Sequence, residues 1–277
     1  PKEASIASPF TRFGLIAGNG RFPILFAESA QKKGVEVVAI AHKGQTLPEL
    51  EHFVSKIHWI KVGQLGKLIN LLKAENLQDA AMVGGITKTL MFSEVSPDFY
   101  ALSLLAKLKT LNDDMLLRAV SEEMKKQGIT IHHSTLFLNE LLSPPGCLTK
   151  RSPNKKERQD VEFGWPLAKE IGRLDIGQSI VVKNQVVLAV EAIDGTDETI
   201  RRAGKLGKGN GLVVIKVSKP QQDMRFDIPA IGPQTITTMR EAGATSIAVE
   251  AGRTLLIDKE ELIEAADQAK IAVVARE

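Results

Sequence analysis

The sequence predicts an α/β protein, with an N-terminal Rossmann-like parallel sheet covered by helices and a mixed α/β C-terminal domain. Short runs of β-branched and other apolar residues alternate with amphipathic segments along the first half of the chain. A glycine-containing turn follows the first of these runs, and a proline-rich stretch interrupts the middle of the chain. A length of 277 residues suits two domains of ordinary size better than one.

The elements of the first half follow from the alternation. Each apolar run is short enough for a buried strand, and each amphipathic segment has helical spacing. We predict strands at 13–17, 35–41, 57–61 and 80–84, with helices at 22–33 and 65–76 between them. Such alternation gives a parallel sheet covered by helices. Asn112 is the predicted N-cap of a further helix that ends near Gly128.

The segment 143–155 contains three prolines, a glycine and several basic residues, all of which oppose regular structure. We therefore predict a domain boundary or hinge here, with a Rossmann-like nucleotide-binding domain at 1–145 and a second α/β domain at 146–277.

Three features of the C-terminal part indicate regular elements. The segment 179–192 has the pattern of a hairpin that turns near Lys183–Gln185, and 211–217 resembles a further strand. Pro233 stands at a first helical position, and Asp258 and Glu261 have the spacing of a capping box.

Composition excludes several classes of protein. With 43% hydrophobic and 25% charged residues and no long apolar run, the chain reads as a globular protein rather than a disordered or membrane-spanning one. A net charge of +3 does not indicate a nucleic-acid partner. Cys147 is the only cysteine, which favours a reducing compartment, and the first residues lack a secretion signal. We therefore expect a cytoplasmic protein.

Two glycine turns follow predicted strands and would lie on the same rim of the sheet. Gly18, Asn19 and Gly20 come after the first strand, where small residues let a phosphate or ribose approach the backbone, and Gly84 and Gly85 end another strand. A tight connection without a ligand explains the first turn equally well. Lys88 either reaches a phosphate from the second turn or is a solvated lysine.

A loop rich in charge lies in the C-terminal half. Asp223, Arg225 and Asp227 stand between Pro220 and Pro229, which restrict the backbone. Magnesium binds one or two carboxylates together with substrate phosphate, so this loop suits metal-assisted phosphate chemistry. A structural arginine–aspartate ion pair is the alternative. Upstream, Asp194, Thr196 and Asp197 suit either the same chemistry or the capping of a helix.

Several long motifs resemble one family, the LpxI family of UDP-2,3-diacylglucosamine pyrophosphatases in lipid A biosynthesis. The resemblance extends from about residue 13 to the C-terminal part, and it is carried by GLIAGNGRFP, DDMLLRAV, LDIGQSIVV, AVEAIDGTDETIRRAG, KPQQDMRFDIPAIGPQTI and VEAGRTLLID. It implies magnesium-dependent hydrolysis of UDP-2,3-diacylglucosamine to UMP and 2,3-diacylglucosamine 1-phosphate (lipid X), with water attacking the phosphorus on the sugar side.

The resemblance also implies that 146–277 is the C-terminal catalytic and lipid-binding domain, and it implies roles for residues. The family's essential aspartate falls on Asp223 or Asp227; we prefer Asp223 as the catalytic, metal-linked residue and Asp227 as a second ligand or orienting group. Arg225 would offset charge on the phosphoryl oxygens. The remaining assignments are a third magnesium ligand at Asp194, and substrate contacts at Gly18, Asn19, Gly20, Gly84, Gly85, Lys88, Thr196, Asp197 and Lys219.

A lipid substrate implies partners as well. Leucine-rich segments at 104–108 and 136–142, predicted as helices, would line an apolar tunnel or belong to an ordinary core. We expect transient contact with the inner-membrane surface, and a homodimer is possible in principle. A basic cluster either helps the membrane contact or is simply a solvated hinge. The cluster comprises Lys150, Arg151, Lys155, Lys156 and Arg158.

Two other functions are compatible with parts of the sequence. One is a nucleotide-sugar-binding module without chemistry. The other is a nicotinamide-dependent oxidoreductase, which is disfavoured because the second strand ends in Ala41, His42 and Lys43 rather than an acidic residue.

Overall fold

The computed structural model describes residues 8–86, 96–107, 113–226 and 228–277. The chain divides into two compact units. The first comprises Pro1–Asn139 together with Asp223–Asp227, and the second comprises Glu140–Gln222 together with Ile228–Glu277. The predicted N-cap Asn112 and the candidate site residues Lys88 and Asp227 lie outside the described residues.

The first unit contains a five-stranded parallel sheet in the order β3-β2-β1-β4-β5 over its described residues. This confirms the predicted fold class and the strand and helix alternation. In chain order the elements are β1 (Arg12–Ala17), α1 (Phe22–Lys32), β2 (Glu36–His42), β3 (Lys56–Ile60), α2 (Leu65–Ala74), β4 (Asp79–Val83), α3 (Phe99–Leu105), α4 (Asp113–Lys126) and β5 (Thr130–His132).

Aromatic side chains fill one part of the core of the first unit. The rings of Phe13 and Phe137 lie 5.3 Å apart, and that of Phe26 lies 5.1 Å from Phe137. The helix predicted at 136–142 is wrong, since only a short 3-10 turn forms at Asn139–Leu141. Phe137 and Leu138 are buried, so these apolar residues belong to the ordinary core rather than to a tunnel.

Glu75, at the end of α2, forms ion pairs with residues of β1 and β3. The carboxylate of Glu75, just after α2, accepts from Arg12 at 3.0 Å and pairs with Lys56 at 2.5 Å and His58 at 2.8 Å. The Lys56 and His58 hydrogen bonds, with a smaller contribution from Arg12, lower the pKa of Glu75 to about 2.

The second unit contains a six-stranded mixed sheet in the order β6-β13-β11-β9-β7-β8 over its described residues, as the predicted mixed fold class requires. Strands β9, β11 and β13 are parallel to one another, while β7 is antiparallel to both β8 and β9. Its elements are β6 (Gly146–Cys147), α5 (Lys155–Arg173), β7 (Ser179–Lys183), β8 (Val186–Val190), α6 (Thr196–Leu206), β9 (Leu212–Lys216), β10 (Ala230–Ile231), α7 (Pro233–Ala242), β11 (Ala244–Glu250), β12 (Leu255–Leu256), α8 (Lys259–Gln268) and β13 (Ala272–Arg276).

The hairpin predicted near Lys183–Gln185 is confirmed, and a buried carboxylate from α5 holds its turn. Asn184 and Gln185 have positive φ angles of 50° and 59°, as the favoured two-residue hairpin turn requires. Asp160, which is 4% exposed, accepts hydrogen bonds from their backbone amides at 3.0 and 2.6 Å. The helix and the hairpin are therefore joined through one side chain.

Helix capping differs from the prediction. A capping box forms at the start of α5, where Asn154 and Glu157 exchange side-chain and backbone hydrogen bonds. The capping box predicted at Asp258 and Glu261 is wrong. Asp258 precedes α8 in the left-handed conformation, with φ of 45°, rather than the extended conformation that directs an N-cap side chain onto the helix.

None of the helices among the described residues combines the length and apolar character needed to span a bilayer.

Candidate active site

The two glycine turns meet at the carboxyl edge of the first sheet. The amide of Gly18 donates to Val83 at 2.8 Å, and that of Asn19 donates to Gly85 at 2.8 Å. A Cβ on Gly18 would lie 2.5 Å from the carbonyl oxygen of Gly84, so the loops after β1 and β4 are in backbone contact. Because β1 has β2 on one side and β4 on the other, this is where open α/β sheets bind ligands.

The other glycine of the first turn serves a different purpose. Gly20 is exposed, has a φ of +76°, and would bring its Cβ within 4 Å of no described atom. It therefore provides left-handed backbone just before α1, which begins at Phe22 without a capping hydrogen bond from the side chain of Arg21. Pro23 has no N–H, so the amides of Phe22 and Ile24 are the ones in the first turn of α1 that suit an anion.

The end of β2 is fixed against the end of β1. The ring atom Nδ1 of His42 lies 2.9 Å from the carbonyl oxygen of Ala17, which also accepts from the hydroxyl of Thr46 at 2.7 Å. Burial lowers the pKa of His42, an effect that the hydrogen bond to Ala17 partly offsets.

Asp223 and Arg225 form a close ion pair within the first unit. The guanidinium binds the carboxylate in a bidentate manner, with Nε to Oδ1 at 3.0 Å and Nη2 to Oδ2 at 2.7 Å. The backbone amide of Arg225 also donates to Oδ1 at 3.1 Å. The side-chain hydrogen bond from Arg225 is the largest cause of the lowered pKa of Asp223, so the carboxylate is ionised at neutral pH.

Helix α4 adds two polar groups to this pair. Arg118 approaches the carboxylate of Asp223 at 3.9 Å, and Arg225 donates to the hydroxyl of Ser121 at 3.2 Å. Among the described residues, two guanidinium groups thus face the carboxylate of Asp223. The guanidinium group is a good donor to phosphate oxygens.

The segment that carries Asp223 is anchored at the same edge of the sheet as the glycine turns. Phe226 is 8% exposed and belongs to the hydrophobic core that includes Ile16 and Met82. The carbonyl oxygen of Met224 accepts from the amide of Ser134, which follows the carboxyl end of β5, at 3.4 Å. The loops after β1, β4 and β5 and the segment 223–226 therefore belong to one edge of one unit.

In the second unit, Thr196 lies in a buried polar cluster. Its hydroxyl donates to Glu191 at 2.9 Å and accepts from the ammonium of Lys216 at 2.9 Å. Glu191 and Lys216 are 8% and 7% exposed, and Asp197 lies in the first turn of α6. The cluster places a cation and a helix N-terminus together.

The other two candidates of the second unit are held in ion pairs. Asp194 accepts from Arg202 at 2.7 Å and from the backbone amide of Ala192 at 3.0 Å. Lys219 contacts Asp175 at 2.5 Å. These contacts occupy oxygens of Asp194 that the sequence assigned to a metal ion.

The described residues contain no group of three or more histidine, cysteine, aspartate or glutamate side chains able to hold a metal ion. Magnesium does not need such a group, since it commonly takes one or two carboxylates and completes its six ligands with phosphate and water. The ionised carboxylate of Asp223 fits that requirement as a single protein ligand.

Four residues at these positions were missed from the sequence. Arg118 lies in DDMLLRAV and Ser121 directly follows it, and their i, i+3 spacing indicates that both lie on one face of a helix. His42 lies at the end of β2, where dinucleotide-binding folds have an acidic residue. Only the tertiary fold brings Lys216, at the end of β9, to Thr196.

Comparisons with known proteins agree on one family. The sequence model of the LpxI N-terminal domain matches residues 12–141, and that of the LpxI C-terminal domain matches residues 144–274. A protein of Caulobacter vibrioides named UDP-2,3-diacylglucosamine pyrophosphatase LpxI is 35% identical over 273 residues, which cover 95% of this chain and 96% of that protein.

Two solved structures that match the chain share little sequence with it. The biotin carboxylase subunit of pyruvate carboxylase is 11% identical with a TM-score of 0.26, covering 72% of this chain and 40% of that chain. N5-carboxyaminoimidazole synthetase from Staphylococcus aureus is 18% identical with a TM-score of 0.24, covering 64% and 40%. Both matches span about two fifths of the solved chain. The two domain models and the Caulobacter protein, by contrast, extend over nearly the whole sequence, and the chain belongs to the LpxI family.

Proposed function

We propose that the chain is a magnesium-dependent pyrophosphatase that hydrolyses UDP-2,3-diacylglucosamine to UMP and 2,3-diacylglucosamine 1-phosphate, a step in lipid A biosynthesis. The observation that carries this proposal is the 35% identity, over 95% of the chain, to a protein named for that activity. The two guanidinium groups beside Asp223 are independent support, because such groups suit the oxygens of a diphosphate.

The reaction balances with water as the only co-substrate. A water oxygen forms a bond to the phosphorus on the sugar side, and the bond from that phosphorus to the bridging oxygen breaks. UMP leaves with the bridging oxygen. Arg225 and Arg118 offset the charge that develops on the phosphoryl oxygens, and the glycine turn of Gly18, Asn19 and Gly20 receives the nucleotide.

Asp223 would hold the magnesium ion, with Asp227 as a second ligand or orienting group. When bound, the ion would polarise a phosphoryl oxygen and align the leaving group. Arg225 occupies both oxygens of Asp223 in this structure, so the carboxylate is shared between metal and guanidinium. Asp194, the third assigned ligand, is paired with Arg202 in the same way.

The test is hydrolysis by the purified protein in H₂¹⁸O, with magnesium or with EDTA. We expect UMP to form only with magnesium, and the label to appear in the phosphate of the lipid product. Asp223→Asn keeps the side-chain size and should lower kcat by about 10²-fold or more. Asp267→Asn, a change on helix α8, is the matched control.

Three outcomes would count against the proposal. Absence of UMP would favour a binding module without chemistry. Label in UMP would reverse the side of attack. Turnover by Asp223→Asn within a few-fold of wild type would remove that residue from the reaction.

A lipid substrate also requires access to the bilayer, so the proposal includes transient contact with the inner-membrane surface and allows a homodimer. Co-sedimentation with anionic vesicles and measurement of the molar mass in solution test these two points separately. A protein that stays in the supernatant even with lipid X present would contradict the membrane contact.

A further inference from the structure

His42 occupies a position with a known use in related architectures. It is the last residue of β2, which lies beside β1 in the parallel sheet. In dinucleotide-binding folds, the residue at the end of the second strand forms a hydrogen bond with a ribose hydroxyl and is usually acidic. The strand order and the glycine turn after β1 match that arrangement, but the residue here is a histidine.

The backbone groups of His42 are already used. Its amide donates to the hydroxyl of Thr46 at 3.0 Å. Its carbonyl oxygen accepts from the amides of Gln45 and Thr46, both at 3.0 Å. These bonds close a tight loop after β2 and fix the position from which the imidazole ring extends.

Of the two ring nitrogens of His42, one forms a hydrogen bond with the described residues and the other does not. Nδ1 lies 2.9 Å from the carbonyl oxygen of Ala17, and no hydrogen bond joins Nε2 to any described residue. A carbonyl oxygen can only accept, so Nδ1 must carry the proton. Burial lowers the pKa of His42 and keeps the ring neutral, which leaves a lone pair on Nε2. His42 is half-buried, so its side chain is not fully enclosed by the core.

A fixed acceptor next to a phosphate-binding turn suits a hydroxyl donor. A neutral acceptor also avoids the repulsion that a carboxylate would exert on a nearby diphosphate. We propose that Nε2 of His42 accepts a hydrogen bond from a ribose hydroxyl of the bound nucleotide and thereby selects ribonucleotides over deoxyribonucleotides. The choice of a uridine nucleotide rests on the proposed function, whereas the ribose contact rests on the geometry of β1 and β2.

Binding of UMP, 2′-deoxy-UMP and 3′-deoxy-UMP tests the proposal by titration calorimetry. We expect the wild-type protein to bind at least one deoxy analogue about 5–10-fold more weakly than UMP, the loss of one hydrogen bond. His42→Ala should weaken UMP binding by a similar factor and abolish the discrimination. His42→Gln, which retains an acceptor, should restore part of it. His52→Ala removes an exposed histidine and should change nothing.

A purely structural role for His42 gives a different result. It would weaken UMP and both deoxy analogues equally in His42→Ala, and that outcome would overturn the proposal. Equal affinity of the wild-type protein for all three nucleotides, or no affinity for UMP, would also overturn it, even if His42→Ala fails to fold. Hydrolysis assayed in parallel separates the two proposals, since discrimination without UMP release refutes only the pyrophosphatase function.

Discussion

Replacement of Gly18 by alanine tests whether the two glycine turns form one edge through backbone packing. A Cβ at this position would lie 2.4 Å from the carbonyl oxygen of Gly85 and 2.5 Å from that of Gly84. Both distances are about 1 Å shorter than a favourable contact. Because the neighbours are main-chain atoms, no side-chain rotation relieves the overlap. The loops must then separate. Separation weakens the hydrogen bond from the Gly18 amide to Val83 and the one from the Asn19 amide to Gly85.

The expected loss follows from these contacts. Overpacking of a tight site costs about 1–3 kcal/mol, and each weakened hydrogen bond costs up to about 1 kcal/mol. We therefore expect Gly18→Ala to lower the free energy of unfolding by about 2–4 kcal/mol in urea denaturation. UMP affinity, measured by titration calorimetry, should fall by about ten-fold or more because the backbone proposed to receive the phosphate moves.

Gly34→Ala is the matched control. Gly34 also needs glycine, with a φ of +75°, but a Cβ at this position would have no described atom within 4 Å. Strain in the left-handed region alone should cost about 1–2 kcal/mol, with UMP affinity unchanged. If Gly18→Ala were no less stable than Gly34→Ala and bound UMP like wild type, packing between the two turns would not define the edge.

Two further predictions concern stability. Asp160→Ala leaves the turn amides of Asn184 and Gln185 without their carboxylate. It should lower the free energy of unfolding by about 2–3 kcal/mol in urea denaturation. An equal loss of stability in the exposed variant Glu162→Ala would refute the idea that Asp160 holds the turn. The pKa of Glu75 lies at about 2 in the folded state against an ordinary value of 4.5. Its stabilising contribution is therefore complete above pH 4.5 and is lost as pH falls towards 2. Glu75→Gln should make stability less dependent on pH in that range; an unchanged acid-unfolding profile would refute this.

Local patterns predicted most of the elements but missed α5. The alternation of apolar runs with amphipathic segments identified the first four strands, and the hairpin turned where predicted. Helix α5 was missed because Gly164 and Pro166 lie in its interior and a proline-rich segment precedes it. Packing explains the glycine, since a Cβ on Gly164 would lie 2.2 Å from Ile215 and 2.9 Å from Val182. Tertiary contact outweighs intrinsic helix propensity there.

The candidate site could be predicted in its residue types but not in its placement. Pro220 and Pro229 indicated a constrained loop around Asp223, but nothing local shows that 223–226 belongs to the first unit. Phe226 explains that placement, because its ring is buried in the core of the first sheet, far away in sequence. The same placement brings Asp223 and Arg225 against Arg118 and Ser121 of α4.

That placement also decides the electrostatics of the site. A carboxylate alone at the edge of the sheet would repel a diphosphate, and only a bound cation would offset that repulsion. Packed against α4, Asp223 instead faces Arg225 at 2.7 Å and Arg118 at 3.9 Å, so two guanidinium groups offset the charge of the carboxylate. Phe226 lies under the guanidinium of Arg225, 4.8 Å from the ring centroid, and restrains it there. The apolar anchor therefore positions the arginine as well as the aspartate.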